Sequence, residues 1–513
     1  MNKTLAIGLM IISSLCHAAL AGEPEVTLDS GRIIGTTAQG VDAFKGIPFA
    51  APPVGELRWQ PPQPVARWTD VRPASAYGKD CMQEHFPGDA APLGVGFSED
   101  CLTVNVWRPV NAHGPLPVMV WIYGGGFVNG GSSPSVYAGE AFARQGVVFV
   151  SFNYRVGRFG FFAHPALADQ PLRGNYGLMD QIAALKWVQK NIAQFKGDAQ
   201  NITLFGESAG GFAIHSLLTT DLAQGLFHKA IIQSGGGRHN LTIAQDWAKA
   251  EQAGLAFAQA NGIRGEKEHA LAALRSIPAD KVVNGLNMAT MTSADYSGPM
   301  LDGKLIGGEP QDLYRQGAFQ RVPLIIGATD ADVGFPPRVE TLDEAVAVFA
   351  AADRRQARLA YRDMTPQAVA QAIASDTLMV EPARFVARIW DKAGIPVWQY
   401  RFGYVADSMR AQWPAAVHAS EIPYVFNTLT ARYGDRLTAK DRAVARQMQQ
   451  YWVNFARTGR PDSANLPAWE RYRQQQDNIL IVPANGAEHI IEQADPWKER
   501  LDRVEKLAQP ESH

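Results

Sequence analysis

The chain has 513 residues, 46% of them hydrophobic and 19% charged, with a formal net charge of -2. That balance is ordinary for a globular protein, and near-neutral charge excludes the basic profile of a nucleic-acid or anionic-membrane binder. Length alone points to two or three domains, but large α/β enzymes are often one domain with long insertions.

Lys3 is the only charged residue before Gly22, an apolar run spans Leu5 to Ile12, and Ala19-Leu20-Ala21 offers a small-residue cleavage site. Together they predict a cleavable secretory signal over residues 1–21, leaving residues 22–513 as one exported domain, secreted or periplasmic. The apolar run falls short of the roughly 20 residues that span a bilayer, and no later stretch supplies them, so no membrane contact is expected after cleavage. Cys16 lies in the signal with no lipobox-like run before it. Cys81 and Cys101 remain, and two cysteines in an exported chain most simply form one disulfide, the alternative being two buried thiols. No H-E-x-x-H or C-x-x-C occurs, so neither a metal nor a cofactor is expected.

Val26 to Gly35 and Val41 to Lys45 read as short antiparallel strands, and residues 46–74, rich in Pro and Trp, as a surface loop. Leu116 to Tyr123 and Gly146 to Asn153 have the β-branched and aromatic content of buried strands. Leu178, Ile182, Leu185, Val188, Ile192 and Phe195 recur at helical spacing. A strand at Ile202–Phe205 and a helix at Phe212–Leu218 follow, then strands at Lys229–Gln233, Val322–Gly327 and Val397–Phe402. The Ala-rich stretches 240–295 and 343–394 read as helices that cover the sheet or form a lid. A late helix, Arg442 to Thr458, stops at Gly459 and Pro461. The polar tail from Trp497 reads as loose. Strands alternating with helices predict a mostly parallel central sheet flanked by helices on both faces.

Chemistry concentrates at Gly206-Glu207-Ser208-Ala209-Gly210, between a strand and a helix. A G-x-S-x-G turn there holds the serine strained and exposed, and its glycines spare side chains that would clash. The pentapeptide alone is weak evidence, since an ordinary Gly-rich turn reads the same way. Upstream, a buried strand runs into Gly124-Gly125-Gly126-Phe127. Bare amides at Gly125 and Gly126, with that of Ala209, suit an oxyanion hole. A phosphate-binding loop fails on spacing, lacking both G-x-G-x-x-G and a Walker lysine.

Six further segments match one family in order. They are Gly46-Ile47-Pro48-Phe49-Ala50, the run from Glu99 to Val106, Asn153-Tyr154-Arg155, Asn201 to Gly211, Gln233-Ser234-Gly235 and Phe455 to Gly459. The chain resembles the type-B carboxylesterases, which include bacterial para-nitrobenzyl esterases and the cholinesterases, over nearly the whole mature length. The resemblance implies an α/β-hydrolase fold and hydrolysis of small-molecule carboxylic esters through an acyl-serine, by a monomer or homodimer. It assigns Ser208 as nucleophile, and the segment from His418 to Phe426 makes His418 its base. The family's acid is a glutamate in G-T-x-x-D-E-G. Here Gly327-Ala328-Thr329-Asp330-Ala331-Asp332-Val333-Gly334 places Asp332 in that position, with Asp330 as the rival or as a turn residue capping local amides. Glu207, Glu421 and Ser234 are implied to form a buried polar network behind the site. The loop between Cys81 and Cys101 has no Trp, whereas cholinesterases carry there a tryptophan that stacks on quaternary ammonium; this argues against choline esters. Acyl and alcohol pockets are expected from residues 285–300 and 335–410, with Arg338 and Arg410 as possible contacts to an anionic acyl group. Two other readings use the same residues: an amidase or lactamase with this triad, and a binding-only relative of the kind that serves in adhesion after losing its serine.

Overall fold

The computed structural model describes residues 23–241, 246–265 and 268–508. The expected signal segment therefore lies outside the described residues. A hairpin of Glu25–Thr27 and Arg32–Ile34 opens the chain, so the first predicted strand is two, turned at Gly31.

The centre is an eleven-stranded sheet. In chain order its strands are β1 (Thr36–Ala38), β2 (Val41–Pro48), β3 (Thr103–Pro109), β4 (Leu116–Ile122), β5 (Val148–Phe152), β6 (Gly197–Glu207), β7 (Lys229–Gln233), β8 (Leu324–Thr329), β9 (Val397–Phe402), β10 (Asn478–Val482) and β11 (Ile491–Ala494). Their spatial order is β11-β10-β9-β8-β7-β6-β4-β5-β3-β2-β1. Pairing is parallel from β5 through β4, β6, β7, β8 and β9 to β10, and antiparallel at both edges. The middle strands are buried on both faces, which is why Val118-Met119-Val120-Trp121-Ile122 reads as a continuous apolar run rather than an alternation.

Helices lie against this sheet. The longer ones are α1 (Tyr176–Asn191), α2 (Ala209–Thr219), α3 (Trp247–Ala260), α4 (Glu381–Lys392), α5 (Ala439–Thr458) and α6 (Lys498–Leu507). Helix α5 begins three residues before the expected start at Arg442, because Thr438 and Asp441 form a reciprocal capping box. Gly459, at φ 76°, ends it in the left-handed conformation that glycine tolerates. Among the described residues no helix is long and apolar enough to cross a membrane.

The tail contradicts its reading as loose. Most of it is α6, whose Leu501 and Val504 are buried at i, i+3 spacing. Val504 closes a small satellite core with Val346, Phe349, Ala357, Tyr361 and Ile373. Arg500 binds the Asp376 carboxylate, with one contact at 2.5 Å, and lies 3.7 Å from the centre of the Trp497 ring. The polar composition of the tail is thus an ion-paired outer face over an apolar stripe.

Cys81 and Cys101 form a disulfide across a sequence separation of 20. Asn105 of β3 secures the same region, accepting from Gly46 N at 2.9 Å. A closed loop of that length contributes about 3 kcal/mol by restricting the unfolded chain. Replacing both cysteines by serine is expected to lower unfolding stability by about that amount in urea melts. Added reductant should produce the same loss in the parent protein and none in the variant.

Candidate active site

Ser208 stands where β6 turns into α2, with φ 55° and ψ -125°. A serine before a helix ordinarily caps it with its hydroxyl. This one makes no side-chain cap bond, because its backbone lies outside the conformation that aims the hydroxyl at the helix amides. The turn is held instead by Ser208 N donating to Gln233 O at 3.0 Å and Phe212 N donating to Ser208 O at 2.9 Å. A Cβ at Gly210 would lie 2.1 Å from Ile122 O, and one at Gly206 would lie 2.8 Å from Gly210 C. The backbones of β4, β6 and α2 touch, and only glycine fits between them.

The same contact brings in the glycine run. A Cβ at Gly124 would meet Glu207 Oε2 at 2.8 Å and Ser208 Cβ at 2.9 Å. Gly125 and Gly126 follow at φ 110° and 63°, and Gly125 O accepts from Val128 and Asn129 amides. Among the described residues, the Gly125 and Gly126 amides donate to no protein acceptor, and Ala209 opens α2, where amides lack helical partners. The loop is braced by Tyr123, which stacks on Tyr154 at 4.3 Å and exchanges hydroxyl-to-carbonyl bonds with it at 2.9 Å. Arg155 beside it forks onto Asp180 with two 2.8 Å bonds. The Asn153-Tyr154-Arg155 segment therefore anchors the glycine loop.

His418 and Asp332 meet there. His418 Nδ1 lies 2.5 Å from Asp332 Oδ1, and its Nε2 lies 3.2 Å from Glu207 Oε1. Asp332 Oδ2 accepts from the Ser234 hydroxyl at 2.6 Å and from Thr329 N at 3.1 Å, and Oδ1 accepts from Val333 N at 2.8 Å. Asp330 does not reach the imidazole; its Oδ1 accepts from Ala416 N at 2.9 Å. Behind them Glu421 Oε1 accepts from Gln233 Nε2 at 3.1 Å, and Gln233 Oε1 accepts from Trp452 Nε1 at 3.0 Å.

Burial alone would raise the Asp332 carboxyl, but the His418 charge and the bonds from His418, Ser234 and Val333 more than reverse it, holding the group below its ordinary value. Glu207 goes the other way: burial first, then Glu421, Asp332 and Asp89, push it well above the carboxylate range, against the pull of His418. Burial would depress His418; Glu207, Asp332 and Glu421 outweigh it and raise the imidazole above its ordinary value. Burial lifts Glu421 to about 7.

A cavity of about 270 Å³ opens over Ser208 and His418. Its wall includes Phe86 and Asp89 from the disulfide loop, Tyr137, Met288 and Ile422. Met288 comes from the expected 285–300 stretch, but the 335–410 insertion supplies no lining residue. Arg338 is exposed and outside the cavity, and Arg410 is spent on Asp407 and Ala484 O. The Phe86–Ala91 segment lies in the Cys81–Cys101 loop that the resemblance set beside the substrate, but sequence reasoning singled out none of its residues. Two larger cavities, of about 410 and 420 Å³, contain neither Ser208 nor His418. Among the described residues no group of three or more His, Cys, Asp or Glu could hold a metal ion.

The Carboxylesterase family profile matches residues 22–370 and 351–495. A para-nitrobenzyl esterase of Bacillus subtilis (strain 168) is 35% identical over 93% of this chain and 98% of its own length. A fumonisin B1 esterase of Sphingopyxis macrogoltabida is also 35% identical, over 92% and 89%. A human cocaine esterase is 30% identical over 99% and 97%. A solved PNB esterase superposes with a TM-score of 0.81 at 33% identity, covering 95% of this chain and all of the other.

The electrostatic arrangement has a direct readout. Replacing an anion beside His418 by its amide removes a charge that favours the imidazolium. Histidine NMR titration is therefore expected to place His418 above 6.5, with Asp332→Asn lowering that value. An unchanged midpoint in the variant would refute the assignment of cause.

Proposed function

Since the chain belongs to the carboxylesterase family, and is a carboxylic ester hydrolase of the α/β-hydrolase fold, we propose that it works through an acyl-enzyme on Ser208, with His418 and Asp332 completing the triad. The carrying observation is the 2.5 Å contact between His418 Nδ1 and Asp332 Oδ1, beside the strained turn that leaves the Ser208 hydroxyl uncommitted.

His418 Nε2 takes the hydroxyl proton as Ser208 Oγ attacks the ester carbonyl carbon. The oxygen of the tetrahedral intermediate is held by the amides of Gly125, Gly126 and Ala209, each such donor contributing roughly 3–4 kcal/mol to the transition state. Collapse breaks the bond to the alcohol, which leaves with the proton from His418. Water then repeats the sequence and frees the acid. Asp332, kept ionised by its donors, fixes the imidazole's tautomer and stabilises its charged form.

Glu207 is electrostatically coupled to that imidazole. With one proton shared between Glu207 and His418, the pair is either carboxylate and imidazolium or carboxylic acid and imidazole. Only the second form leaves Nε2 able to act as a base. Burial, Glu421 and Asp332 push Glu207 towards the acid form, while Asp332 and Glu421 also pull His418 towards the imidazolium, so the two groups titrate as a coupled pair.

The small cavity and the absence of tryptophan from its disulfide wall favour esters of short acids with small, uncharged alcohols. The relatives' names span para-nitrobenzyl, fumonisin B1 and cocaine esterases, so kinship alone selects no substrate. Export to the periplasm or beyond is supported by the N-terminal pattern and by the disulfide, which persists in oxidising compartments.

Ser208→Ala is expected to abolish p-nitrophenyl acetate turnover and labelling by an organophosphate. Asp332→Asn should lower kcat by about 10⁴ and move the acid limb of kcat/KM to lower pH, because the imidazole loses its neighbouring anion. Asp330→Asn should not. Persistent turnover in Ser208→Ala would overturn the nucleophile. For export, N-terminal sequencing of protein recovered outside the inner membrane should begin at Gly22; an intact Met1 would reject cleavage.

A further inference from the structure

Asp330, the rival acid in the sequence, has a different place in the structure. It directly follows β8, and its amide donates to Phe402 O at the end of β9 at 3.0 Å. Its side chain crosses to the segment that carries His418. There Oδ1 accepts from Ala416 N at 2.9 Å, while Ala331 N donates to Ala416 O at 3.0 Å. The Ala416 peptide groups are thus gripped from both sides. Next in register, Ala331 and Val417 form a parallel bridge, and one residue further Asp332 Oδ1 meets His418 Nδ1 at 2.5 Å.

We propose that Asp330 is a positioning residue that sets the height and register of the His418 segment, so that the imidazole meets Asp332; this rests on His418 being the base. Among the described residues Asp330 forms no ion pair that would give it another role. The nearby cations are committed elsewhere, Arg401 to Asp495 and Arg500 to Asp376. Its other oxygen is packed against Gly403, where an added Cβ would lie 2.6 Å from Oδ2. The carboxylate is therefore wedged between Gly403, the residue after β9 that has no side chain, and the amide it holds. The work is done by an acceptor at Oδ1, which an amide oxygen can also supply. That separates it from Asp332, whose charge is needed.

Three variants test this with p-nitrophenyl acetate as substrate. Asp330→Ala should lower kcat by about tenfold or more with KM within about twofold, because a misplaced base costs rate rather than binding. Asp330→Asn should restore kcat to within about threefold of the parent, since the acceptor returns. Gly403→Ala pushes the carboxylate from its far side, so it should lower kcat in the parent and cause no further loss in Asp330→Ala. Parent-level kcat in Asp330→Ala, or an Asn variant as slow as the Ala variant, overturns the proposal. Should Asp330→Ala fail to fold, parent-level kcat in Gly403→Ala does the same. Ser208→Ala serves as the control: turnover surviving there sinks the triad reading itself, whereas its loss beside normal Asp330 variants sinks only the positioning role.

Discussion

The carbonyl of Ile122 leaves no room for a side chain at Gly210, where a Cβ would sit 2.1 Å away. This approach of β4 to the start of α2 is the constraint on which the rest depends. It forces the turn at Ser208 to be tight, which sets φ at 55° and keeps the hydroxyl off the helix cap. It also places the glycine run leaving β4 directly against the serine, so the strained serine and the bare glycine amides arise from one backbone contact. A turn loose enough to admit a side chain at position 210 would separate them. Strain of this kind costs of order 1–3 kcal/mol and persists only where the surroundings over-determine it. Here the surroundings are the centre of an eleven-stranded sheet.

Around that contact the protein buries Glu207, Asp332 and Glu421 close together. Like charges in a low-dielectric interior cannot all ionise, so the environment must choose which does. Donors decide it. Asp332 receives the Ser234 hydroxyl, the Thr329 and Val333 amides and the imidazole, and stays charged. Glu207 has no comparable set and is raised; Glu421, with one bond from Gln233, lies between. The negative charge thus falls on the carboxylate that faces Nδ1.

What could be read from the sequence follows from range. The β6 strand, the glycine turn and α2 are contiguous, so residues 201–211 announce their geometry locally, and the paired cysteines announced their bridge. The long Arg442–Thr458 helix was legible from its Gly459 and Pro461 stop, and only its start slipped, because the Thr438–Asp441 cap is polar. The tail after Trp497 was misread for a related reason: its two buried residues are outnumbered by charges whose partners lie more than a hundred residues away. The cavity wall was harder still. Phe86 and Asp89 belong to a loop with no periodicity, brought over Ser208 only by the fold. Asp330 looked like a turn residue because the donor it accepts from, the Ala416 amide, is 86 residues distant.

Asp332 as the proposed acid raises a matter of reach. The resembled family carries a glutamate there, one methylene longer, and a shorter carboxylate contacts the imidazole only if the two backbones come closer. The Ala331–Val417 bridge supplies that approach by making the acid loop and the histidine segment adjacent strands for one residue. Parallel bridging places neighbours at about 4.8 Å, near enough for an aspartate to span to a histidine on the next strand. The bridge in turn needs both segments to hold their register. Ala331 N and the Asp330 carboxylate fix one side of Ala416 each, and Asp330 is itself tied to the end of β9. On the proposed roles, the shorter acid and the acidic residue two positions before it form one solution: the side chain that is a methylene shorter is matched by a neighbour that draws the loops together.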